Sequence, residues 1–137
     1  MKNEHLLNQC TPKLAALFKS VDTEFAEVEI LPSTIRTIAQ QVEFVKNGTS
    51  KTMSSKHLIT IEHPLSRAVD ASFAPMKWPV EGSADFWKDW ARLYYFAGMV
   101  MAKAKDLGIK IRFGGDWNGN FTLKDENFFD GVHFEEL

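Results

Sequence analysis

The feature that most restricts the fold is an apolar stripe between Ser83 and Gly108, in which Phe86, Trp90, Leu93, Tyr94, Ala97, Met101 and Ala104 recur at helical spacing. That period belongs to a long amphipathic helix. Ser83 stands where an N-cap hydroxyl is wanted, and Gly108 where the chain leaves the helix. So broad a stripe must be covered by another layer, so the rest of the chain has to supply a sheet or further helices. Its Trp, Tyr and Met residues are assigned to packing and given no ligand role.

The remaining segments supply both kinds of element. Thr11 before Pro12, followed by Leu14, Leu17 and Phe18, predicts a helix over 12–21. Phe25, Val28 and Ile30 alternate with acids and predict a strand ending at Pro32. From Thr34 to Lys46, Ile35, Ile38, Ala39, Val42 and Val45 follow a helical stripe that Asn47-Gly48 closes, which sets Arg36 and Gln40 one turn apart on the other face. Residues 48–55 form a polar loop, and His57 to Pro64 has no period. Strands are predicted over 67–73, 109–113 and 132–136, with a tight loop over 114–120. There is no βαβ rhythm and no internal repeat. The expected fold is α+β, a small and mainly antiparallel sheet flanked by helices, in one domain spanning 1–137.

Composition removes several functional classes. Sixteen basic against eighteen acidic side chains leave a net charge of −2, so no cationic field gathers nucleic acid, and a metal nuclease ranks behind other hydrolases. No apolar run is long enough for stable membrane insertion. The first residues lack the apolar core of a secretory signal, so the chain is expected to be made in the cytoplasm. Cys10 is the single cysteine, which excludes an internal disulfide and leaves a packing residue. The Gly114-Gly115 pair lacks the spacing of a phosphate cradle.

What remains is a set of histidines and carboxylates. On the predicted last strand His133 and Glu135 share one face while Val132 and Phe134 share the other, and Asp130 lies just before it. A catalytic zinc ion needs about three nitrogen or oxygen ligands, an open position for water and a carboxylate to take that water's proton. Asp130 and His133 can converge on such a water. Asp70, flanked on its strand face by Ala68 and Ser72, has room for an ion, and His57 and His63 offer further imidazoles. Glu135 reads equally as a group orienting a ligand or as a surface acid. Trp117 reads as a stacking wall of a cleft or as a cap on the core edge.

The ordered runs Ser55-Lys56-His57, Ala68-Val69-Asp70 and Asp130-Gly131-Val132-His133 resemble the Ser-x-His, Ala-x-Asp, Asp/Glu-x-x-His motifs of a zinc peptidase family that cuts bacterial cell walls. Its members are D-alanyl-D-alanine carboxypeptidases and dipeptidases, and the L-alanyl-D-glutamate endopeptidases used as phage endolysins. Further matches are Ile35-Arg36-Thr37 with Gln40, Asn47-Gly48-Thr49-Ser50, residues 107–114 and Asp116-Trp117. In length and in these intervening matches the chain is most similar to the small endolysins.

The resemblance implies a hedgehog/D,D-peptidase-like fold and Zn²⁺ held by His57, Asp70 and His133. It makes Asp130 the general base and acid, and Arg36 the residue that binds substrate and steadies the oxyanion. Gln40 would support Arg36, with Ser55 and Trp117 also lining the substrate cleft. It implies a monomer whose substrate is the stem peptide of peptidoglycan, reached after release from the cytoplasm. Two departures stand out: twelve residues intervene between His57 and Asp70 where the family usually has six, a spacing that His63 meets, and Ser66 replaces an expected glycine. The motif around His57 favours it as the ligand. D,D-carboxypeptidase activity and a non-catalytic zinc module, as in the hedgehog signalling domains, are the competing readings.

Overall fold

In the computed structural model, which describes every residue except Lys51 within the 48–55 loop, four antiparallel strands carry helices on one face. A 3-10 segment, Glu4–Gln9, precedes α1 (Pro12–Glu24) and β1 (Val28–Ile30). A second 3-10 turn, Pro32–Thr34, leads to α2 (Ile38–Lys46), then β2 (Ala68–Phe73), α3 (Phe86–Asp106), β3 (Ile111–Phe113) and β4 (His133–Glu136). The sheet order is β1-β2-β4-β3, so β4 slots between strands that precede it in the chain. This is the α+β arrangement the sequence predicts.

The core lies between the sheet and the paired helices α1 and α3. Leu14, Leu17, Phe18 and Val21 of α1 meet Phe96, Ala97 and Val100 of α3 and the inward residues Val69, Ala71, Phe113 and Phe134 of the sheet. Phe96 is the hub, with ring centroids 4.9 Å from Phe73, 5.8 Å from Phe134 and 6.4 Å from Phe18. The buried face of α3 is therefore centred on Leu93, Phe96, Val100 and Ala104, rotated from the predicted stripe, whose Phe86 and Trp90 are only half-buried. Ser83 is not its cap; Asp85 holds that position without a side-chain hydrogen bond.

The largest departure is α2. Thr37 and Gln40 form a reciprocal capping box, which starts the helix at Ile38 and leaves Arg36 in the extended chain before it. Ile38 and Val42 are 58% and 45% exposed, and the only residue of α2 in full burial is Gln41. This helix covers a polar cleft rather than the core, so its apolar stripe is not its inward face.

Strand register positions the other side of the sheet. Asp70 pairs with His133, and Glu135 lies opposite both Ala68 and Arg112. Residues paired across neighbouring strands point to the same face, so β2, β4 and β3 present Asp70, His133, Glu135 and Arg112 together, away from the Phe134 layer. Among the described residues no helix is long and apolar enough to cross a membrane.

Candidate active site

The turn Pro32–Thr34 fastens two of the site residues. The Thr34 hydroxyl donates to the Asp70 carbonyl and accepts from the Asp70 N–H, and the Thr34 carbonyl lies 3.0 Å from Nδ1 of His57. His57 sits in a short turn where its N–H donates to Oγ of Ser55. Its carbonyl accepts from the Arg36 N–H. Ser66, in the place of the expected glycine, is fully buried with its hydroxyl in reach of the Thr34 and Ala68 carbonyls. The serine ties the loop of His57 to the start of β2. His63 lies in a separate exposed turn and takes no part.

His57, Asp70 and His133 converge, all buried. Nε2 of His57 lies 2.9 Å from Nδ1 of His133 and 3.1 Å from Oδ1 of Asp70, and that oxygen is 3.3 Å from Nδ1 of His133. The protons explain why these atoms need a cation. A carbonyl only accepts, so Nδ1 of His57 carries the proton and Nε2 offers a lone pair. Nε2 of His133 likewise faces Oε2 of Glu135 at 2.9 Å, which turns its Nδ1 lone pair to the same point. Two lone pairs and a carboxylate oxygen at this separation repel unless positive charge sits among them. The set can hold a metal ion.

Without an ion a proton takes that place. Burial would lower His133, but its hydrogen bonds to Asp70 and Glu135 outweigh that and push it up to about 9. Burial would raise Asp70, but the two imidazoles hold its carboxyl well below the usual range. Glu135 is buried yet drawn down to about 2 by His133 and Arg112. Glu135 is thus the buried acceptor on the outer nitrogen of His133 and not a surface acid.

Arg36 grips the outer edge of the same cluster. Its Nη2 is 3.3 Å from Oδ2 of Asp70, an oxygen that also accepts from Oγ of Ser33 at 2.6 Å. Its Nε donates to the Ser33 carbonyl, its Nη1 donates to Oε1 of Gln41, and the guanidinium lies over Phe44. The partner of Arg36 is therefore Gln41 and not Gln40, whose side chain is committed to the Thr37 N–H in the capping box. Gln41 also donates to Ser50 and Thr52, so one buried carboxamide ties Arg36 to the loop above it. Periodicity could not single it out; the Thr37-x-x-Gln40 capping signature could have, by fixing the helix start and turning Gln41 inward.

His57, Asp70, His133, Glu135 and Arg36 line one cleft of about 720 Å³, with Ser55, Lys56, Trp78, Trp117 and Asp130 also in its walls. Trp117 stands beside His133, ring centroids 5.2 Å apart, and its Nε1–H donates to the Phe128 carbonyl. Asp130 is half-buried, and burial followed by the nearby charge of Asp70 raises its pKa. Gly114 sets its position: a Cβ there would lie 2.9 Å from Cβ of Asp130 and 3.0 Å from Cβ of His133, and would overlap the Asp130 carbonyl. The glycine allows β3 to press against the Asp130–His133 turn. Cys10 is elsewhere, buried, with its thiol pushed up to about 12.

Comparison with known proteins gives three findings. The model of the family described as phage L-alanyl-D-glutamate peptidase matches residues 1–137. The L-alanyl-D-glutamate peptidase of Escherichia phage T5 is 36% identical over 107 residues, covering 74% of this chain and 69% of that relative. The crystal structure of the L-Ala D-Glu endopeptidase ChiX of Serratia marcescens matches 99% of this chain and 86% of its own with a TM-score of 0.67. At 23% identity that last match is a likeness of fold.

Proposed function

Because the chain belongs to the phage L-alanyl-D-glutamate peptidase family, we propose that it is an endolysin-type enzyme hydrolysing the L-alanyl-D-glutamate bond of peptidoglycan stem peptides. The proposal makes residues 1–137 one catalytic domain, with zinc held by His57, Asp70 and His133. The observation that carries it is the buried triangle of donor atoms sharing one cleft with Asp130 and Arg36. A tetrahedral zinc ion with bonds of about 2.0–2.2 Å sets its ligand atoms about 3.3–3.6 Å apart, a few tenths of an ångström wider than this triangle.

When bound, the zinc ion supplies the Lewis acidity that makes water nucleophilic near neutral pH and polarises the scissile carbonyl. Asp130 accepts the proton of the attacking water, whose oxygen bonds to the carbonyl carbon. The same carboxyl then hands the proton to the departing amine as the C–N bond breaks. A raised pKa suits a group that must both take and return a proton. Arg36 lines the cleft and commits three of its five N–H groups to Ser33, Gln41 and Asp70, which leaves two donors for the substrate in this reading. Those donors steady the negative charge that grows on the carbonyl oxygen, where one donor is worth roughly 3 kcal/mol. Ser55 and Trp117 shape the walls against which the peptide lies.

The test is digestion of purified cell walls followed by mass spectrometry of the products. A new amino terminus on D-glutamate is expected, absent with Asp130→Ala although that variant still binds zinc. Release of free D-alanine instead would make the enzyme a carboxypeptidase and overturn the proposal.

A further inference from the structure

Among the described residues, Arg36, Lys56 and Arg112 bring cationic side chains to the cleft, and they differ in what they have left to offer. Arg36 is 11% exposed and held by Ser33, Gln41 and Asp70. Lys56 turns its ammonium to the Glu136 carbonyl and lies 3.9 Å from Glu135. Arg112 is different: its Nε and Nη2 both converge on Oε1 of Glu135, and its side chain is 37% exposed. No bond occupies Nη1 among the described residues, so the second edge of its planar fork is open. The guanidinium is also fixed in place, 5.6 Å from the Trp117 ring, which in turn stands against His133.

A guanidinium edge of this kind matches a carboxylate with two parallel hydrogen bonds. The substrate class proposed above carries such a group: in the stem peptide D-glutamate continues through its γ-carboxyl, so its α-carboxylate is free and sits next to the scissile nitrogen. We infer that Arg112 is a specificity-determining residue that recognises this free carboxylate and selects stems with D-glutamate over stems amidated to D-isoglutamine. The inference rests on the L-alanyl-D-glutamate reading. Glu135 holds Arg112 for this task as it holds His133 for metal binding.

The experiment compares two synthetic stem peptides that differ only in that group, carboxylate or carboxamide, with the zinc-loaded enzyme and its Arg112→Gln and Arg112→Lys variants. The wild type is expected to favour the carboxylate by roughly tenfold in kcat/KM, the scale of one partly exposed charge-assisted pair. Arg112→Gln should bring the ratio close to one, and Arg112→Lys should keep part of it. Because Arg112 also pairs with Glu135, both substrates slow in the variants, and the ratio removes that shared loss.

Inhibition of the wild type by the two product peptides gives a second readout without a variant, the carboxylate form binding more tightly. Equal use of both substrates by the wild type, or an unchanged ratio in Arg112→Gln, overturns the inference while leaving the functional proposal intact. Cleavage of neither substrate at the alanyl-glutamyl bond overturns both.

Discussion

Replacing Glu135 by Gln tests the claim that metal binding depends on the far nitrogen of His133. The carboxylate shares its two oxygens between cationic partners, Oε2 with Nε2 of His133 and Oε1 with Arg112. With its pKa drawn down to about 2, it is ionised at any pH where the protein would be assayed. Glutamine keeps the volume but has one acceptor, so either His133 or Arg112 faces an amide N–H instead of an oxygen. If the oxygen stays on His133, the imidazole still loses the negative charge that raises its basicity as a ligand. Outer partners of ligating histidines are typically worth ten- to a hundredfold in metal affinity, about 1.4–2.7 kcal/mol. Zinc affinity is measured by competition with a chromophoric chelator, and circular dichroism shows that the variant keeps its fold. A zinc Kd within about twofold of the wild type would refute the reasoning, because Glu135 would then orient nothing that matters to the ion.

Gln41→Leu leaves Arg36, Ser50 and Thr52 short of a buried partner and should cost about 1–3 kcal/mol in urea unfolding, with turnover falling further than zinc affinity. Gly114→Ala forces the Asp130–His133 turn away from β3 and should cost about 1–3 kcal/mol with most of the activity, whereas Gly98→Ala, where a Cβ meets nothing within 4 Å, should not. In the metal-free protein His133 titrates at about 9 against an ordinary 6.5, so its contribution is present below pH 6.5 and is lost as pH rises through 9. Thermal melts of the chelated protein should therefore fall over that window, by up to the order of 3 kcal/mol, and a flat profile would contradict the assigned hydrogen bonds. Zinc uptake at pH 7 should release a proton for the same reason.

The parts of this molecule that the sequence makes legible are those where one local pattern meets one environment. The long helix and the alternation around Asp70 and His133 are of that kind, because each buries one face and turns the other to water or to the cleft. The cleft wall is less legible. Ile38 and Val42 keep a helical period yet face outward, since α2 packs over Arg36 and the loop held by Gln41 rather than over the core. Phe96 and Val100 belong to the helix but fall off its predicted stripe, which the ring contacts with Phe73 and Phe134 pull round. Glu135 could be read two ways because its neighbour across the strand, Arg112, is set by register and not by sequence distance.

That register has a consequence for how the activity arises. Asp70 and His133 are partners across β2 and β4, and a side chain's direction reverses with every residue along a strand. Slipping β4 by one position would bury the imidazole among phenylalanines and push Phe134 into the cleft. The centre therefore cannot exist in a chain whose last strand has paired wrongly or has not yet been inserted. On the proposed ligand set, bound metal thus reports a correctly closed sheet, because one register between β2 and β4 sets both the apolar core and the cleft.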